Sequence, residues 1–256
     1  MMKRFLLTSL FLVTFILASQ NTPTVVSAQD TTVAETPYTV IPTDKMNEAW
    51  WKARHEENCA RIAQGNVDLL LIGDSITNGW DTRGKEVRDF FYGDRNCVNM
   101  GFGGDQTQNV LWRLNNAPME NIQPKAAMLL VGVNSLWEDW KTDYVALGIQ
   151  ACVDKLQALY PDIKILVLDI FVVLEPGICV RQRAADASSK MRELMRDYKN
   201  VQFMDLNDLW LDEKNEIPRE LMFDQVHPTR EGYILWGKRV EPVIAEMLGV
   251  EAKEWT

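Results

Sequence analysis

The chain of 256 residues contains 46% hydrophobic and 25% charged residues, an ordinary composition for a globular protein with one substantial core. Its net charge of -9 argues against nucleic acid and anionic membranes as partners, because both bind clustered Lys and Arg. Only two histidines are present and the four cysteines show no C-x-x-C spacing, so a Cys/His zinc site is not expected.

The N-terminus has the pattern of a secretory signal peptide over residues 1–28. Lys3 and Arg4 precede an apolar run over 5–18, and small residues at 26–28 suit a signal-peptidase site. A retained membrane anchor is the alternative, but the run is shorter than the roughly 20 residues that span a bilayer. No cysteine stands just after the apolar run, which argues against a lipoprotein anchor. We therefore expect a secreted or periplasmic protein without a stable membrane anchor.

The next segment, residues 29–43, contains Thr and Pro without periodicity and is predicted to be flexible. The folded domain is expected over 44–256. Asp44 is the predicted N-cap of a first helix, because apolar residues recur at helical spacing from there to Gly65.

Beyond Gly65, apolar strand-like runs alternate with helical patterns. The strands are predicted at 67–73, 97–101, 126–133, 164–171 and 201–206. The helices are predicted at 106–117, 139–160, 181–199 and 229–248. Strands that are apolar on both faces and alternate with helices indicate an α/β fold, with a parallel sheet covered on both sides. We expect Pro242 to kink or split the last helix.

The sequence leaves the state of the cysteines open. In an oxidising compartment they can form up to two disulfides, in three connectivities, or they can remain small buried thiols. They are Cys59, Cys97, Cys152 and Cys179. The oligomeric state is also left open.

The residues after each predicted strand are candidates for the functional site, because ligands of open α/β sheets bind at the carboxyl ends of the strands. Ser75 follows the first strand, where its hydroxyl would lie at a strand-to-helix turn and is a candidate nucleophile. The alternative is a plain turn or helix cap, for which Gly-Asp-Ser is equally typical.

A serine nucleophile needs a base, and the chain offers only His55 and His227. His55 lies within the first predicted helix beside acidic residues, where a solvated or packing role is expected. Asp224 precedes His227 by three residues, so one turn can bring the carboxylate to the imidazole. The turn "GFGGD" (101–105) and Asn134 can provide hydrogen-bond donors to an oxyanion, although turn chemistry alone also explains both.

Together these residues resemble the SGNH hydrolase superfamily, or GDSL esterases, in the branch similar to the catalytic subunits of platelet-activating-factor acetylhydrolase. The resemblance extends from about residue 45 to 248. Its motifs are "GDSIT" (73–77), "NMGFGGDQTQNVLWRL" (99–114), "IQPKAAMLLVGVNS" (122–135) and "MFDQVHPTREGYILWGKRVEPVI" (222–244).

This resemblance implies a flavodoxin-like three-layer α/β/α sandwich with a five-stranded, mostly parallel sheet, which hydrolyses carboxylic esters without metal or organic cofactor. It implies Ser75 as nucleophile, His227 as base and Asp224 as the partner of the histidine. The implied oxyanion hole consists of the N–H groups of Ser75 and Gly104 and the amide of Asn134.

Two features depart from the family pattern. Ser135 follows Asn134 where relatives usually carry Asp or Asn, so the support of the amide can differ. The segment 172–183 lacks the Pro-Arg-Gly stretch of many relatives, which leaves the size and polarity of the substrate open.

The expected substrate is a small-molecule or glycan ester with a short acyl group, most simply acetyl, on a carbohydrate. Trp80, Trp137 and Trp140 lie near strand ends, where they can stack on a sugar or pack in the core. A lysophospholipase or short-chain lipase is the alternative enzyme. A non-catalytic glycan-binding module is the alternative of another class.

Overall fold

Five parallel strands form the centre of the computed structural model, which describes residues 36–138, 140–174 and 178–256. The strands are β1 (Leu69–Gly73), β2 (Cys97–Gly101), β3 (Ala126–Leu130), β4 (Lys164–Leu168) and β5 (Val201–Met204). Their order in the sheet is β2-β1-β3-β4-β5, and every neighbouring pair is parallel. The predicted five-stranded sheet is therefore confirmed, with all of its strands parallel.

Helices cover both sides of this sheet. They are α1 (Ala49–Ala63), α2 (Ser75–Asn78), α3 (Lys85–Tyr92), α4 (Thr107–Asn116), α5 (Val133–Trp137), α6 (Thr142–Leu159), α7 (Cys179–Leu194) and α8 (Arg230–Leu248). α6 packs against α4 and α7, whereas α3 packs against α8. Every residue of β1 and β3 is buried, because a helix layer covers each face of these central strands. The predicted three-layer α/β/α fold is confirmed.

Three details of the helices differ from the sequence predictions. Asp44 caps a turn, since its carboxylate accepts from Met46 N–H at 2.9 Å, and α1 begins only at Ala49. α3 was not predicted because it is only 8 residues long. α8 runs without interruption through Pro242, so the predicted split is wrong. Val240 and Ile244 on either side of the proline are fully buried, and this packing offsets the lost backbone hydrogen bond.

The domain begins earlier in the chain than expected. The predicted signal peptide over 1–28 and residues 29–35 lie outside the described residues. From Thr36 onward the chain belongs to one compact unit. Thr39 is fully buried, and its carbonyl accepts a hydrogen bond of 3.0 Å from the hydroxyl of Thr107. The described part of the predicted flexible segment therefore packs against the domain.

The four cysteines are free thiols in this structure. Cys152 is buried in the core, Cys59 and Cys97 are half-buried, and Cys179 is exposed at the start of α7. Burial raises the pKa of Cys152 to about 12, which keeps that thiol protonated and unreactive. Within the described ranges, no helix has the length and apolar character needed to cross a membrane.

Candidate active site

The ends of three neighbouring strands lie at one level of the sheet. Gly73 of β1 is in register with Gly101 of β2 on one side and with Leu130 of β3 on the other. The segments that follow these strands carry Ser75, Gly104 and Asn134, respectively. Parallel register therefore brings together side chains that are distant in the sequence.

Ser75 is the first residue of α2 and is half-buried. Asp74 caps this short helix, because its Oδ1 accepts from Ile76 N–H at 2.9 Å. A Cβ atom at Gly73 would lie 2.1 Å from the carbonyl oxygen of Leu130, so only glycine fits where β1 turns into α2. The local sequence thus requires this turn and exposes the serine hydroxyl at its end.

The loop before α8 carries the imidazole that meets this serine. Nε2 of His227 lies 2.8 Å from Oγ of Ser75, and Nδ1 of His227 lies 2.7 Å from Oδ2 of Asp224. Oδ1 of Asp224 also accepts from the backbone N–H groups of His227 at 2.7 Å and Val226 at 3.0 Å. The backbone of this loop therefore holds the Asp224 carboxylate in place, and the carboxylate in turn orients the imidazole of His227.

Asp224 remains ionised in this arrangement. Partial burial alone would raise its pKa, but the hydrogen bonds from the backbone and ring of His227 and from Val226 N–H lower the pKa overall. An ionised Asp224 favours a proton on Nδ1 of His227, which leaves Nε2 to accept the hydroxyl proton of Ser75. The proton of Ser75 can thus move to Nε2 of His227, while Asp224 stays ionised and stabilises the imidazolium that forms.

Two donors follow β2 and β3, one on the loop after β2 and one in α5. Gly104 has φ of +67°, a conformation that favours glycine, and its N–H has no acceptor among the described residues. The side-chain amide of Asn134 donates to the backbone carbonyl of Asp105 at 2.9 Å, and the backbone carbonyl of Asn134 accepts from Nε2 of Gln106 at 3.4 Å. Held in this way, the amide keeps its second N–H for another acceptor.

A buried ion pair supports the Gly104 loop. Arg113 on α4 donates to Oδ2 of Asp105 at 2.9 Å and to the carbonyl oxygens of Met100 at 2.8 Å and Gly73 at 3.1 Å. Both charged side chains are fully buried. One guanidinium therefore ties together the ends of β1 and β2 and the loop between β2 and α4.

Two residues of the N-terminal part complete this support. Trp51 of α1 donates to Oδ1 of Asp105 at 2.8 Å, and Nζ of Lys45 donates to the carbonyl of Gly104 at 2.7 Å. Asp105, Arg113 and Lys45 were not among the residues predicted for the site. The available signal was an arginine within the otherwise apolar stretch "VLWRL" (110–114), since a charge there must be paired when buried.

Asp74 is also buried beside Ser75. Burial raises the pKa of Asp74 to about 7, with backbone hydrogen bonds acting in the opposite direction. Its Oδ2 atom has no hydrogen-bond partner among the described residues. No hydrogen bond joins it to His227 within the same part of the chain, so its contact with the site is the helix cap before Ser75.

The comparison with known proteins identifies the family of the chain. The model of the GDSL-like lipase/acylhydrolase family matches residues 71–235. The chain belongs to this family. It is therefore a carboxylic ester hydrolase, and all the candidate site residues lie within the matched region.

Individual relatives of this GDSL-like hydrolase include platelet-activating factor acetylhydrolase IB subunit alpha2 from Rattus norvegicus. That protein is 29% identical over 198 residues, which cover 77% of this chain and 85% of the relative. A GDSL-like lipase from Bacteroides thetaiotaomicron has a TM-score of 0.63 at 19% identity, covering 76% of this chain and 97% of that one. An acetylxylan esterase from Geobacillus stearothermophilus has a TM-score of 0.55 at 17% identity, covering 75% and 98%.

The second histidine of this GDSL-like hydrolase has a packing role. His55 is 6% exposed, and its ring packs against Trp51 and Trp112 with centroid distances of 5.6 and 5.1 Å. Burial lowers its pKa, followed by repulsion from Arg113, so the ring is held neutral. Of the alternatives in the sequence, the structure thus places only His227 against Ser75.

The three tryptophans near the strand ends differ in exposure. Trp80 is fully buried in an aromatic cluster with Tyr233 and Trp236, so it packs in the core and cannot contact a sugar. Trp137, which ends the short helix that carries Asn134, is 43% exposed. Trp140 is half-buried and packs against Tyr38 with a centroid distance of 4.8 Å.

The segment 172–183, which differs from the family pattern, contacts the loop that carries Asp224 and His227. The N–H of Leu174 donates to the carbonyl of Gln225 at 3.0 Å, between Asp224 and His227 in the sequence. Residues 175–177 lie outside the described residues.

Within the described ranges, no group of three or more Cys, His, Asp or Glu side chains is arranged to hold a metal ion.

Proposed function

We propose that this GDSL-like hydrolase is a serine esterase that removes short acyl groups, most simply acetyl, from carbohydrates through an acyl-enzyme. One observation carries the proposal. Ser75, His227 and Asp224 form a continuous hydrogen-bonded series, and the segments after the two neighbouring strands carry the N–H of Gly104 and the amide of Asn134. A nucleophile, its base and an oxyanion site are the parts that acyl transfer requires.

In this mechanism His227 takes the hydroxyl proton as Ser75 Oγ attacks the ester carbonyl. Asp224 stabilises the resulting imidazolium. The oxyanion receives hydrogen bonds from the N–H groups of Ser75 and Gly104 and from the free N–H of Asn134, each contributing about 3 kcal/mol to lowering the barrier. His227 then protonates the leaving alcohol. A water molecule, activated by the same imidazole, releases the acid and regenerates the serine.

The acyl and alcohol groups are inferred from two sources. Two similar proteins carry acetyl ester hydrolysis in their names, the platelet-activating factor acetylhydrolase subunit and the acetylxylan esterase. The exposed ring of Trp137 lies on the helix that carries Asn134, where it can stack on a sugar. A short-chain lipase or lysophospholipase is the second candidate, favoured by the platelet-activating factor acetylhydrolase relatives.

The first experiment compares hydrolysis of 4-nitrophenyl acetate by the wild type, Ser75→Ala and Ser189→Ala. Ser189 is an exposed serine on α7 and provides the matched control. We expect full activity in the control and a loss of several orders of magnitude in Ser75→Ala. A serine-directed phosphonate should add its mass to the wild type alone. An unmodified wild type without activity would instead indicate a non-catalytic glycan-binding module.

The second experiment identifies the substrate class. Rates on acetylated xylo-oligosaccharides are compared with rates on 4-nitrophenyl esters of increasing acyl length, with and without lipid vesicles. The carbohydrate proposal predicts the highest kcat/KM on acetylated sugars and a fall with acyl length. A rise with acyl length and activation by vesicles would establish the lipase alternative.

We also propose that residues 1–28 are a cleaved signal peptide that directs the protein to the periplasm or the medium. The proposal is supported by Lys3 and Arg4, the apolar run and the small residues at 26–28. N-terminal sequencing of the protein produced in a bacterial host should begin at residue 29. Recovery of the intact N-terminus in the cytoplasm would contradict it.

A further inference from the structure

An aromatic ring with two arginines lies beside the imidazole of the proposed catalytic series. The ring of Phe223 is 37% exposed and stacks against His227, with 6.0 Å between centroids and 22° between planes. The guanidinium of Arg83 lies over the same ring, 3.9 Å from its centroid. Arg219 donates to the carbonyl of Phe223 at 3.0 Å. We call Phe223, Arg83 and Arg219 the Phe223 rim.

The two arginines of the Phe223 rim carry uncompensated charge. In the described part of the chain, no carboxylate lies within ion-pair distance of either guanidinium. Arg230, at the start of α8, is in contrast paired with Glu86 at 2.7 Å. One guanidinium over the ring of Phe223 and a second at the backbone carbonyl of the same residue form a positive patch in a chain whose net charge is -9.

The position of the positive patch relative to His227 determines which part of an ester substrate the patch can bind. The leaving alcohol oxygen must come within hydrogen-bond distance of Nε2 of His227 to receive its proton. The alcohol portion of the ester therefore lies next to the imidazole, and Arg83 lies only one aromatic ring farther away. Guanidinium groups form paired hydrogen bonds with carboxylate and phosphate oxygens, and the exposed part of Phe223 offers an apolar surface beside Arg83.

We propose that the Phe223 rim binds an anionic group, a carboxylate or a phosphate, on the alcohol portion of the ester. Arg83 and Arg219 contact the anion, and Phe223 holds Arg83 in place through the contact between the guanidinium and the ring. This inference rests on the proposed esterase activity, since it assigns the leaving-group side from the role of His227. It narrows the substrate from a neutral sugar ester to one that carries a negative charge.

The test uses three acetyl esters of similar shape: 4-acetoxybenzoate, 4-acetoxyphenyl phosphate and the neutral 4-acetoxybenzamide. Acetate release is measured for the wild type, Arg83→Gln, Arg219→Gln and the double variant. Arg196→Gln is the matched control, because Arg196 is exposed at 71% and lies at the end of α7. The readout is the ratio of kcat/KM for an anionic ester to that for the neutral ester, which removes differences in general activity.

We expect each rim variant to lower this ratio about fivefold through KM of the anionic ester, and the double variant to lower it further. Arg83→Lys should restore part of the ratio because it keeps the charge. Added salt should shrink the wild-type preference. The larger of the two anionic ratios identifies carboxylate or phosphate as the group recognised.

The inference is overturned if the double variant and Arg196→Gln give the wild-type ratio, or if the wild type prefers the neutral ester at low salt. These results leave the proposed esterase activity intact, because all three esters are still cleaved. If the proposed function is wrong, the wild type and Ser75→Ala instead release acetate at the same rate.

Discussion

Replacing Arg113 by methionine tests the support of the Gly104 loop most severely. The change removes a fully buried guanidinium and leaves the Asp105 carboxylate buried beside Trp51 and Lys45. The carbonyl oxygens of Met100 and Gly73 lose their guanidinium donor at the same time. Breaking a buried ion pair on one side costs about 3–5 kcal/mol, since the remaining charge stays desolvated.

For a domain of this size, a loss of this magnitude lowers the melting temperature by about 10 °C. Urea unfolding followed by tryptophan fluorescence gives the free energy, and calorimetry gives the temperature. Arg196→Met is the control, because the pair between Arg196 and Asp197 is exposed on both sides, and its removal should change stability by less than about 0.5 kcal/mol. The substitution should also lower kcat more than it changes KM, because the loop that carries Gly104 loses its contacts with Arg113.

The pH dependence provides an independent check. Without Arg113 the pKa of Asp105 rises, because burial then acts on the carboxyl group without the guanidinium that opposes it. The protonated form costs less to bury, so the stability deficit of Arg113→Met should shrink as the pH falls. The double variant Asp105→Asn/Arg113→Met should likewise be more stable than the sum of the two single losses predicts. A loss below about 1 kcal/mol in Arg113→Met, or additive losses, would refute the anchoring role.

Three further predictions concern the loops at the strand ends. Asn134→Ala should lower kcat by about 10²–10³ with little change in KM, measured on 4-nitrophenyl acetate; an equal change in both would indicate a substrate-binding role. Burial raises the pKa of Asp74 to about 7, so the folded state holds its proton more tightly than the unfolded state. Stability from this group is present at low pH and is lost as the pH rises towards 7, so Asp74→Asn should stabilise the protein more at pH 8 than at pH 5, and a pH-independent effect in urea unfolding would contradict this. Gly104→Ala should destabilise the protein by about 1 kcal/mol because of its φ of +67°, whereas Gly103→Ala should be tolerated, since its Cβ would contact only Trp50 at 3.7 Å; equal urea midpoints would count against the turn argument.

The sheet was predictable from the sequence because its strands are short apolar runs with turn residues at their ends. The predicted run at 126–133 extends beyond β3, since Val133 is apolar and buried but already begins α5. Hydrophobicity indicates burial only, so it does not distinguish the buried first residue of a helix from the last residue of a strand. The helix over 85–92 was missed for a related reason, because two turns are too short for a clear period.

The candidate site was predictable to the extent that its residues follow strand ends. Ser75 and Asn134 are polar residues directly after aliphatic runs, and His227 is one of only two histidines. The ion pair between Asp105 and Arg113 and the Phe223 rim were not found from the sequence. Each depends on a contact between residues whose separation in the sequence has no characteristic spacing, so only the folded chain reveals them.

The measurement closest to the central claim is a double-mutant cycle on Ser75 and His227. If the two side chains act as one unit, Ser75→Ala, His227→Ala and the double variant should all lose a similar factor in kcat, of about 10³ or more. The distance of 2.8 Å between Nε2 and Oγ leads us to expect this non-additive result. Losses that multiply in the double variant, or a His227→Ala loss below about tenfold, would contradict the proposed mechanism.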